Sequence, residues 1–251
     1  SSISLQPLNN SPAASAVSVP APAERGRGAA SARWADLRLR AASAVVLAAL
    51  ALGGWWLGGW AWRGLVVVMA LGLAQEWLRL WRGRTIAAQA GGLAYIALGA
   101  AALAWLRNDP VAGRANVLFI LVLVWASDIG AYLAGRLIGG ARLAPRISPG
   151  KTWSGAAGGL AAAGLAGWLV AVSFGHAPAA RAALIALALG LASQAGDLGE
   201  SAAKRFVGAK DSGALIPGHG GLLDRLDGLL GAAPLAALLA LWFGRGVVLW
   251  Q

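Results

Sequence analysis

Residues 184–196 read LIALALGLASQAG, a run of apolar and small side chains that leads directly into Asp197. A helix needs about 20 mostly apolar residues to cross about 30 Å of hydrocarbon, and this run supplies the greater part of such a helix. An unpaired carboxylate at the end of a membrane span is energetically costly and commonly marks a functional site. The stretch therefore predicts a transmembrane helix with Asp197 as a candidate functional residue where that helix leaves the membrane.

The rest of the chain shares this apolar character. Of the 251 residues, 58% are hydrophobic and 12% are charged, and the mean hydropathy is +0.65. These values lie outside ordinary soluble usage and predict an all-α, polytopic transmembrane bundle. Because the chain contains no cysteine, disulfides and thiolate metal sites are excluded. The net charge of +11 is assigned to loops that face anionic lipid, and no nucleic-acid partner is expected.

Seven apolar stretches meet or approach the length of a membrane span. They cover approximately residues 39–57, 61–81, 86–106, 116–138, 153–175, 182–198 and 229–249. Loops between successive spans lie on opposite sides of the membrane, and most of the 21 Lys and Arg residues fall on the loops of one side. That side is predicted to be cytoplasmic, with the N-terminus and the loops at residues 139–152 and 199–227 on it. Residues 1–33, rich in Ser, Pro and Ala, are expected to form a disordered tail ahead of a transmembrane catalytic domain at residues 34–251.

Tryptophan positions bear on the same assignment. Many of the 13 tryptophans lie near the proposed span ends, as expected of an interfacial belt. Trp81 and Trp250 are examples, whereas Trp125 and Trp168 fall within spans. We expect the latter two to pack inside the bundle.

Polar residues are concentrated between Ser193 and Asp227. Five of the ten acidic residues in the chain lie in this segment. If the sixth helix continues past Leu198, its polar side chains share one face at i, i+3, i+4 and i+7. These side chains are Asp197, Glu200, Ser201 and Lys204. A solvated exit helix with a Glu-to-Lys pair is the simpler alternative, but the position of Asp197 favours a site.

The same segment offers ligands for a hard cation and for phosphate. Asp224 and Asp227 are three residues apart, so a helix would turn both carboxylates the same way. Carboxylates without cysteine or clustered histidine favour Mg²⁺. Basic side chains would neutralise a polyphosphate, and glycines around His219 would let backbone amides approach an anion. This combination predicts phosphoryl or nucleotidyl transfer. His219 by itself is equally well explained as a structural hydrogen-bonding residue.

A second candidate group lies upstream. Asp128 and Tyr132 are i, i+4 on the fourth span, and an acid within a membrane is a functional candidate. Pairing of Asp128 with an arginine such as Arg136 is the structural alternative. The sequence SPGKT at residues 148–152 precedes the fifth span and is typical of a phosphate clamp at a helix N-terminus. It is not a P-loop, because the full glycine-spaced pattern is missing.

These motifs together resemble the signature of the phosphatidate cytidylyltransferases, the CDP-diacylglycerol synthases. The resemblance rests mainly on the run from Ser201 to Asp227, which includes Pro217-Gly-His-Gly-Gly221 and Asp224-Arg-Leu-Asp227. Supporting matches are Asp128 with Ala131 and Tyr132, SPGKT, and QAGDLGES at residues 194–201. One departure is Ser154, where members of the family commonly carry an acid after the Lys-Thr pair.

The resemblance implies conversion of CTP and phosphatidic acid to CDP-diacylglycerol and pyrophosphate, with Mg²⁺ required and a second cation left open. It also implies up to nine spans, a homodimer, and a place in the bacterial inner membrane with the active site facing the cytoplasm. Asp197 and Asp224 would bind the metal. Asp128, Lys204, Lys210 and Asp227 would be catalytic, while the substrates would contact Tyr132, Ser148, Lys151, Thr152, Ser201, Arg205, His219 and Arg225.

Two other functions are open. A CTP-dependent polyprenol or phytol kinase would share the phosphate and metal chemistry, although the length of the matched signature argues against it. An ion-coupled transporter could use Asp128 and Asp197 as coupling groups. Such a transporter would leave the phosphate-binding residue types of the loops unexplained.

Overall fold

The computed structural model describes residues 43, 45–175, 179–216, 220–244 and 246–250. Seven helices dominate this part of the chain, and the predicted all-α bundle is confirmed. They are α1 (Val45–Leu57), α2 (Gly59–Leu80), α3 (Ile86–Arg107), α4 (Gly113–Leu137), α5 (Trp153–Ser173), α6 (Ala179–Phe206) and α7 (Leu223–Phe243). Between α4 and α5, strands β1 (Arg142–Ala144) and β2 (Ser148–Thr152) form an antiparallel hairpin.

Each predicted span contains a helix. Helices α3 to α7 are long and apolar enough to cross a membrane, so this part of the chain is built as an integral membrane protein. Helix α2 has 22 residues but carries Arg63, Glu76 and Arg79, and the described part of α1 is shorter than a span. The number of spans therefore stays a prediction. The predicted tail and the start of the first predicted span lie outside the described residues.

Small residues let neighbouring helices approach closely. Helices α4 and α5 pack along much of their length, α5 and α7 each pack against α6, and α3 packs against α7. A Cβ atom on Gly158 would lie 2.2 Å from the Cβ of Ala134, and one on Gly130 would lie 2.4 Å from that of Ala162. In a membrane, where lipid gives no hydrophobic drive to association, such close backbone contact supplies the packing energy. The α4–α5 pair therefore forms a firm support for the hairpin between them.

Two helix ends differ from the prediction. Helix α6 continues to Phe206 and α7 begins at Leu223, so the loop expected over residues 199–227 is reduced to residues 207–222. Hydropathy indicates where the apolar part of a helix stops, but the helix itself can continue beyond that point. Here the i, i+4 ion pair between Glu200 and Lys204 supports the polar turns that follow. Helix α7 ends at Phe243 rather than near residue 249, and Gly244 there has φ of 101°.

The residues after α7 fold back onto α4. The Leu249 amide donates a hydrogen bond to Asn116 Oδ1 at 2.8 Å, and Trp250 packs against Phe119 with ring centroids 4.8 Å apart. Trp250 is fully buried, so its predicted place in an interfacial belt is wrong, and Trp81 is also buried. The expectation that Trp125 and Trp168 lie inside the bundle is wrong as well, because they are 51% and 43% exposed. A membrane bundle is apolar on both its inner and outer surfaces, so a mid-span position does not separate the two.

Candidate functional site

A cavity of about 600 Å³ opens where α4, the hairpin, α5, α6 and the start of α7 meet. Six residues predicted from the sequence line it: Asp128, Tyr132, Lys151, Thr152, Asp197 and Arg225. The lining also includes Arg136 and Arg142. The cavity thus combines four cationic side chains with two carboxylates. Such a surface suits a polyphosphate and a hard cation.

Lys151 and Asp197 form an ion pair inside this cavity. Lys151 Nζ lies 2.5 Å from Asp197 Oδ2, and the two side chains are 27% and 35% exposed. Lys151 comes from β2, and Asp197 is the first residue of the polar face of α6. The pair therefore joins the two motifs that the sequence places far apart, and it remains accessible to a ligand.

Gln194 fixes the depth of α6 beside the cavity. Its Nε2 donates to Ala156 O at 3.1 Å and to Ser127 Oγ at 3.3 Å, which links α6 to both α5 and α4. Ser127 is fully buried. We did not select Gln194 or Ser127 from the sequence, although a glutamine within an apolar run was a usable signal. Because Asp197 lies about one turn further along α6, these bonds help set its position.

Thr152 and Ser154 hold the hairpin against the helices. Thr152 Oγ1 accepts a hydrogen bond from the Gly155 amide at 3.0 Å and so caps the N-terminus of α5. The Ser154 hydroxyl lies 3.0 Å from Thr152 Oγ1 and donates to Gly139 O in a short hydrogen bond. A carboxylate could not donate to that carbonyl. Ser154, the position that departs from the resembled signature, therefore orients the start of the hairpin in this chain.

A second polar cluster lies where α6 ends and α7 begins, on the side of the bundle predicted to face the cytoplasm. Lys204 Nζ is 2.7 Å from Glu200 Oε2 and 2.5 Å from Asp224 Oδ1. Asp224 Oδ2 accepts hydrogen bonds from Ser212 N at 3.1 Å and Ser212 Oγ at 3.0 Å. Asp224 does not line the cavity that contains Asp197. Both oxygens of Asp224 are thus engaged, one by an ammonium group and one by the loop.

Glu76 on α2 anchors this cluster, and we did not select it from the sequence. Its carboxylate accepts from Leu223 N at 2.8 Å, Leu222 N at 3.0 Å and Ser212 Oγ at 3.2 Å. The residue is 2% exposed. It caps the N-terminus of α7 from another helix, where a negative charge meets the positive end of the helix dipole. An acid within the second apolar stretch was the signal that could have identified it.

Glycines in the loop make room for these carboxylates. A Cβ atom on Gly221 would lie 1.9 Å from Ser212 Oγ and 2.8 Å from Asp224 Oδ2. A Cβ atom on Gly213 would lie 2.9 Å from Glu76 Oε1. The glycine-rich character of this segment thus reflects direct packing of acids against the loop backbone.

The remaining predicted residues occupy other positions. Asp227 is half-buried beside Asp197, and its Oδ1 accepts from the Gly228 amide at 2.7 Å. Arg205 donates from Nε to Ile147 O at 3.1 Å, which ties α6 to the hairpin. Ser148 pairs with Ala144 in the hairpin, Ser201 is half-buried, and Lys210 is exposed. His219 lies outside the described residues.

Asp197 and Asp224 have the donor chemistry that Mg²⁺ prefers, and the metal itself stays a prediction. Within the described ranges, no three His, Asp or Glu side chains are placed to hold a metal ion together. Mg²⁺ characteristically uses one or two carboxylates together with phosphate oxygens and water. Asp197 and Asp224 each already hold an ammonium nitrogen at 2.5 Å. Each of the two predicted ligands therefore already binds a positively charged group, as a metal ligand must.

Comparison with known proteins identifies the family. The sequence profile of the cytidylyltransferase family matches residues 84–243. A phosphatidate cytidylyltransferase of Brucella abortus biovar 1 is 50% identical over 161 residues, which are 64% of this chain and 59% of that protein. One from Haemophilus influenzae is 43% identical over 133 residues, covering 51% of this chain and 46% of that protein.

A third relative is matched over more of its length. The phosphatidate cytidylyltransferase of Rickettsia bellii is 35% identical over 178 residues, which are 68% of this chain and 76% of that protein. The chain spans only 59% of the length of the Brucella protein. The region that the family profile matches, residues 84–243, includes α3 to α7, the hairpin and every cavity-lining residue named above. The chain therefore belongs to the cytidylyltransferase family.

Proposed function

We propose that this protein is a phosphatidate cytidylyltransferase, which converts CTP and phosphatidic acid to CDP-diacylglycerol and pyrophosphate. The observation that carries the proposal is the cavity with four cationic side chains and two carboxylates, set among helices able to cross a membrane. Such a site can hold a nucleoside triphosphate close to the headgroup of a lipid. The names of the relatives supply the identity of both substrates.

The reaction requires positioning and charge stabilisation. A phosphate oxygen of phosphatidic acid attacks the α-phosphorus of CTP, a new P–O bond forms, and the bond to the bridging oxygen of pyrophosphate breaks. The attacking phosphate is already ionised near neutral pH, so no side chain has to remove a proton from it. Arg136, Arg142, Lys151 and Arg225 reduce the repulsion between the two anions and orient their oxygens.

Asp197 and Asp224 are the proposed ligands of Mg²⁺. The metal would supply charge neutralisation on the triphosphate. Lys151 and Lys204 occupy these carboxylates in the present structure. Once they release the carboxylates, both ammonium groups become available for phosphate oxygens. Arg205 and Lys210, near the end of α6, would add to this positive charge. Asp128 and Asp227 would add negative charge beside Asp197.

We propose the same cellular setting that the sequence predicted. The basic loops favour a cytoplasmic position for the hairpin and for residues 207–222, and the relatives come from bacteria. The bacterial inner membrane with the cavity facing the cytoplasm fits both points. A homodimer, as implied by the family resemblance, is part of this proposal.

The proposal is tested with purified protein in detergent. Wild type is incubated with cytidine-labelled CTP, phosphatidic acid and Mg²⁺, and label in the organic phase is measured, with Asp224→Asn as the inactive control. We expect lipid-soluble label only with wild type and phosphatidic acid together. Transfer of label from γ-labelled CTP to a polyprenol or phytol, with no reaction on phosphatidic acid, would instead establish a lipid kinase.

A further inference from the structure

Gln194 lines the candidate cavity, and neighbouring helices hold its amide group in one orientation. Its Nε2 donates to Ala156 O on α5 at 3.1 Å and to Ser127 Oγ on α4 at 3.3 Å. A Cβ atom on Gly159 would lie 2.7 Å from the same nitrogen, so the amide group is packed closely against α5. Because a carbonyl oxygen can only accept, the bond to Ala156 fixes which amide atom faces α5. Oε1 therefore lies on the side of the amide group away from that bond.

The carbonyl oxygen of Gln194 is an accessible acceptor. The residue is half-buried, and no group of the described chain donates a hydrogen bond to Oε1. The buried side-chain atoms that lack a partner among the described residues belong to Trp81, Glu200 and Trp250, so solvent reaches Gln194 Oε1. A ligand in the cavity that offers an N–H or O–H group can therefore bond to this oxygen without breaking a contact within the protein.

The lining of the cavity differs in charge between the hairpin end and the inner end. All of its cationic side chains come from the hairpin or from helix ends close to it, namely Arg136, Arg142, Lys151 and Arg225. The inner lining carries no cation and consists of Asp128 and Ala131 of α4, Ala156 of α5 and Gln194 of α6. Its polar side chains present acceptors, from Asp128 and from Gln194. The inner end therefore repels phosphate and suits a neutral group that donates hydrogen bonds.

We propose that Gln194 Oε1 accepts a hydrogen bond from the 4-amino group of cytosine and so selects CTP over UTP. This role rests on the proposed function, which brings CTP into the cavity. With the triphosphate at the cationic hairpin end, the nucleoside lies at the inner end. At position 4, cytosine carries an N–H donor and uracil a carbonyl acceptor. Because the Gln194 NH₂ group is already bonded to Ala156 and Ser127, UTP would set two acceptors against each other.

Nucleotide binding to the purified full chain in detergent with Mg²⁺ tests the role of Gln194. Labelled CTP is displaced by unlabelled CTP, UTP and 2′-deoxy-CTP in wild type and in Gln194→Met, which keeps the side-chain length without the amide. We expect wild type to prefer CTP over UTP, and this ratio of affinities to fall about tenfold in Gln194→Met, mainly through weaker CTP binding. The ratio of CTP to 2′-deoxy-CTP should not change. An equal CTP-to-UTP ratio in both proteins would refute the base contact.

Two further variants control for loss of structure. Gln89→Met on α3 is the matched control, because Gln89 is also half-buried and its Nε2 donates to Trp81 O at 3.1 Å and to Arg84 O at 3.4 Å, away from the cavity. Its CTP-to-UTP ratio should equal that of wild type. Ser127→Ala keeps the acceptor and removes one of the two bonds that hold the amide group, so part of the preference for CTP should be lost. An unchanged ratio in Ser127→Ala would contradict selection by a fixed amide.

Cytidylyl transfer to phosphatidic acid is measured in parallel. A preference for CTP that depends on Gln194, without transfer, would refute the proposed reaction and uphold the base contact. Transfer with an unchanged CTP-to-UTP ratio in Gln194→Met would overturn the base contact alone. A changed ratio for 2′-deoxy-CTP instead would assign Oε1 to the ribose, and a changed Mg²⁺ requirement with equal losses for CTP and UTP would assign it to the metal's water; either would overturn the base contact. Absence of nucleotide binding to wild type would overturn both proposals.

Discussion

Replacement of Glu76 by alanine is expected to destabilise the protein and loosen the segment that holds Asp224. The carboxylate is 2% exposed and serves two backbone amides at the start of α7 as well as the Ser212 hydroxyl. Ser212 in turn donates to Asp224. Alanine would leave the two backbone amides without their acceptor, while the Ser212 hydroxyl keeps Asp224, and it would create a small cavity between α2 and α7.

The size of the effect follows from the two amides that lose their acceptor. Each buried donor left unpaired costs about 1–3 kcal/mol. Removing the burial cost of the carboxylate offsets part of this, and loss of one partner from a buried charged network typically costs about 3–5 kcal/mol. Glu76→Gln keeps the volume and one carbonyl acceptor but turns an NH₂ group toward backbone amides, so we expect about 1–2 kcal/mol.

Thermal unfolding in detergent, followed by circular dichroism, measures the difference. For a chain of this size, about 2–4 °C in Tm corresponds to 1 kcal/mol, so alanine should lower Tm by about 10 °C and glutamine by a few degrees. Gly64→Ala is the control on the same helix, since its Cβ would meet no atom within 4 Å. An alanine variant that melts with wild type would refute the capping role of Glu76.

Three other substitutions test the site and its support. Asp197→Asn should lower turnover by about two orders of magnitude or more, because the proposed metal ligand is lost. Tm should stay near the wild-type value, since an ion pair whose side chains are 27% and 35% exposed contributes little to stability; full activity with normal Mg²⁺ dependence would contradict its proposed role. Lys151→Ala should chiefly raise KM for CTP, about tenfold, and steady-state kinetics with an unchanged KM for both substrates would count against phosphate binding. Gly221→Ala should lower Tm, since the new Cβ would lie 1.9 Å from Ser212 Oγ, and an unchanged Tm would show that the loop can move aside.

The helices were predictable because each membrane span requires a run of about 20 mostly apolar residues, which is visible in the sequence. All seven stretches contain a helix, and six predicted site residues line one cavity. The end of α6 was less predictable, because the polar turn from Gly199 to Phe206 remains helical after the apolar run has stopped. Helix continuation depends there on pairs such as Glu200 with Lys204, which hydropathy does not record.

Contacts between distant elements were not predictable from the sequence. The polar residues of the sixth helix suggested a site, and the family resemblance assigned Lys151 to the same site. Residue spacing did not indicate that the two side chains would form an ion pair. Glu76 was overlooked because its partners are backbone amides on α7, which leave no trace in residue types. Likewise, Trp125 and Trp168 face outward because a bundle in lipid is apolar on both surfaces.

The two lysine–aspartate pairs have a thermodynamic consequence. Because Lys151 and Lys204 pair with the proposed ligands Asp197 and Asp224, a divalent cation arriving alone would have to displace both ammonium groups. Lys151 would then lose the one ion pair described for it, and Lys204 would keep only Glu200. A triphosphate arriving with the cation gives each released ammonium a new anionic partner. Metal and nucleotide should therefore bind with positive cooperativity, and linkage requires that each strengthen the affinity for the other by the same factor.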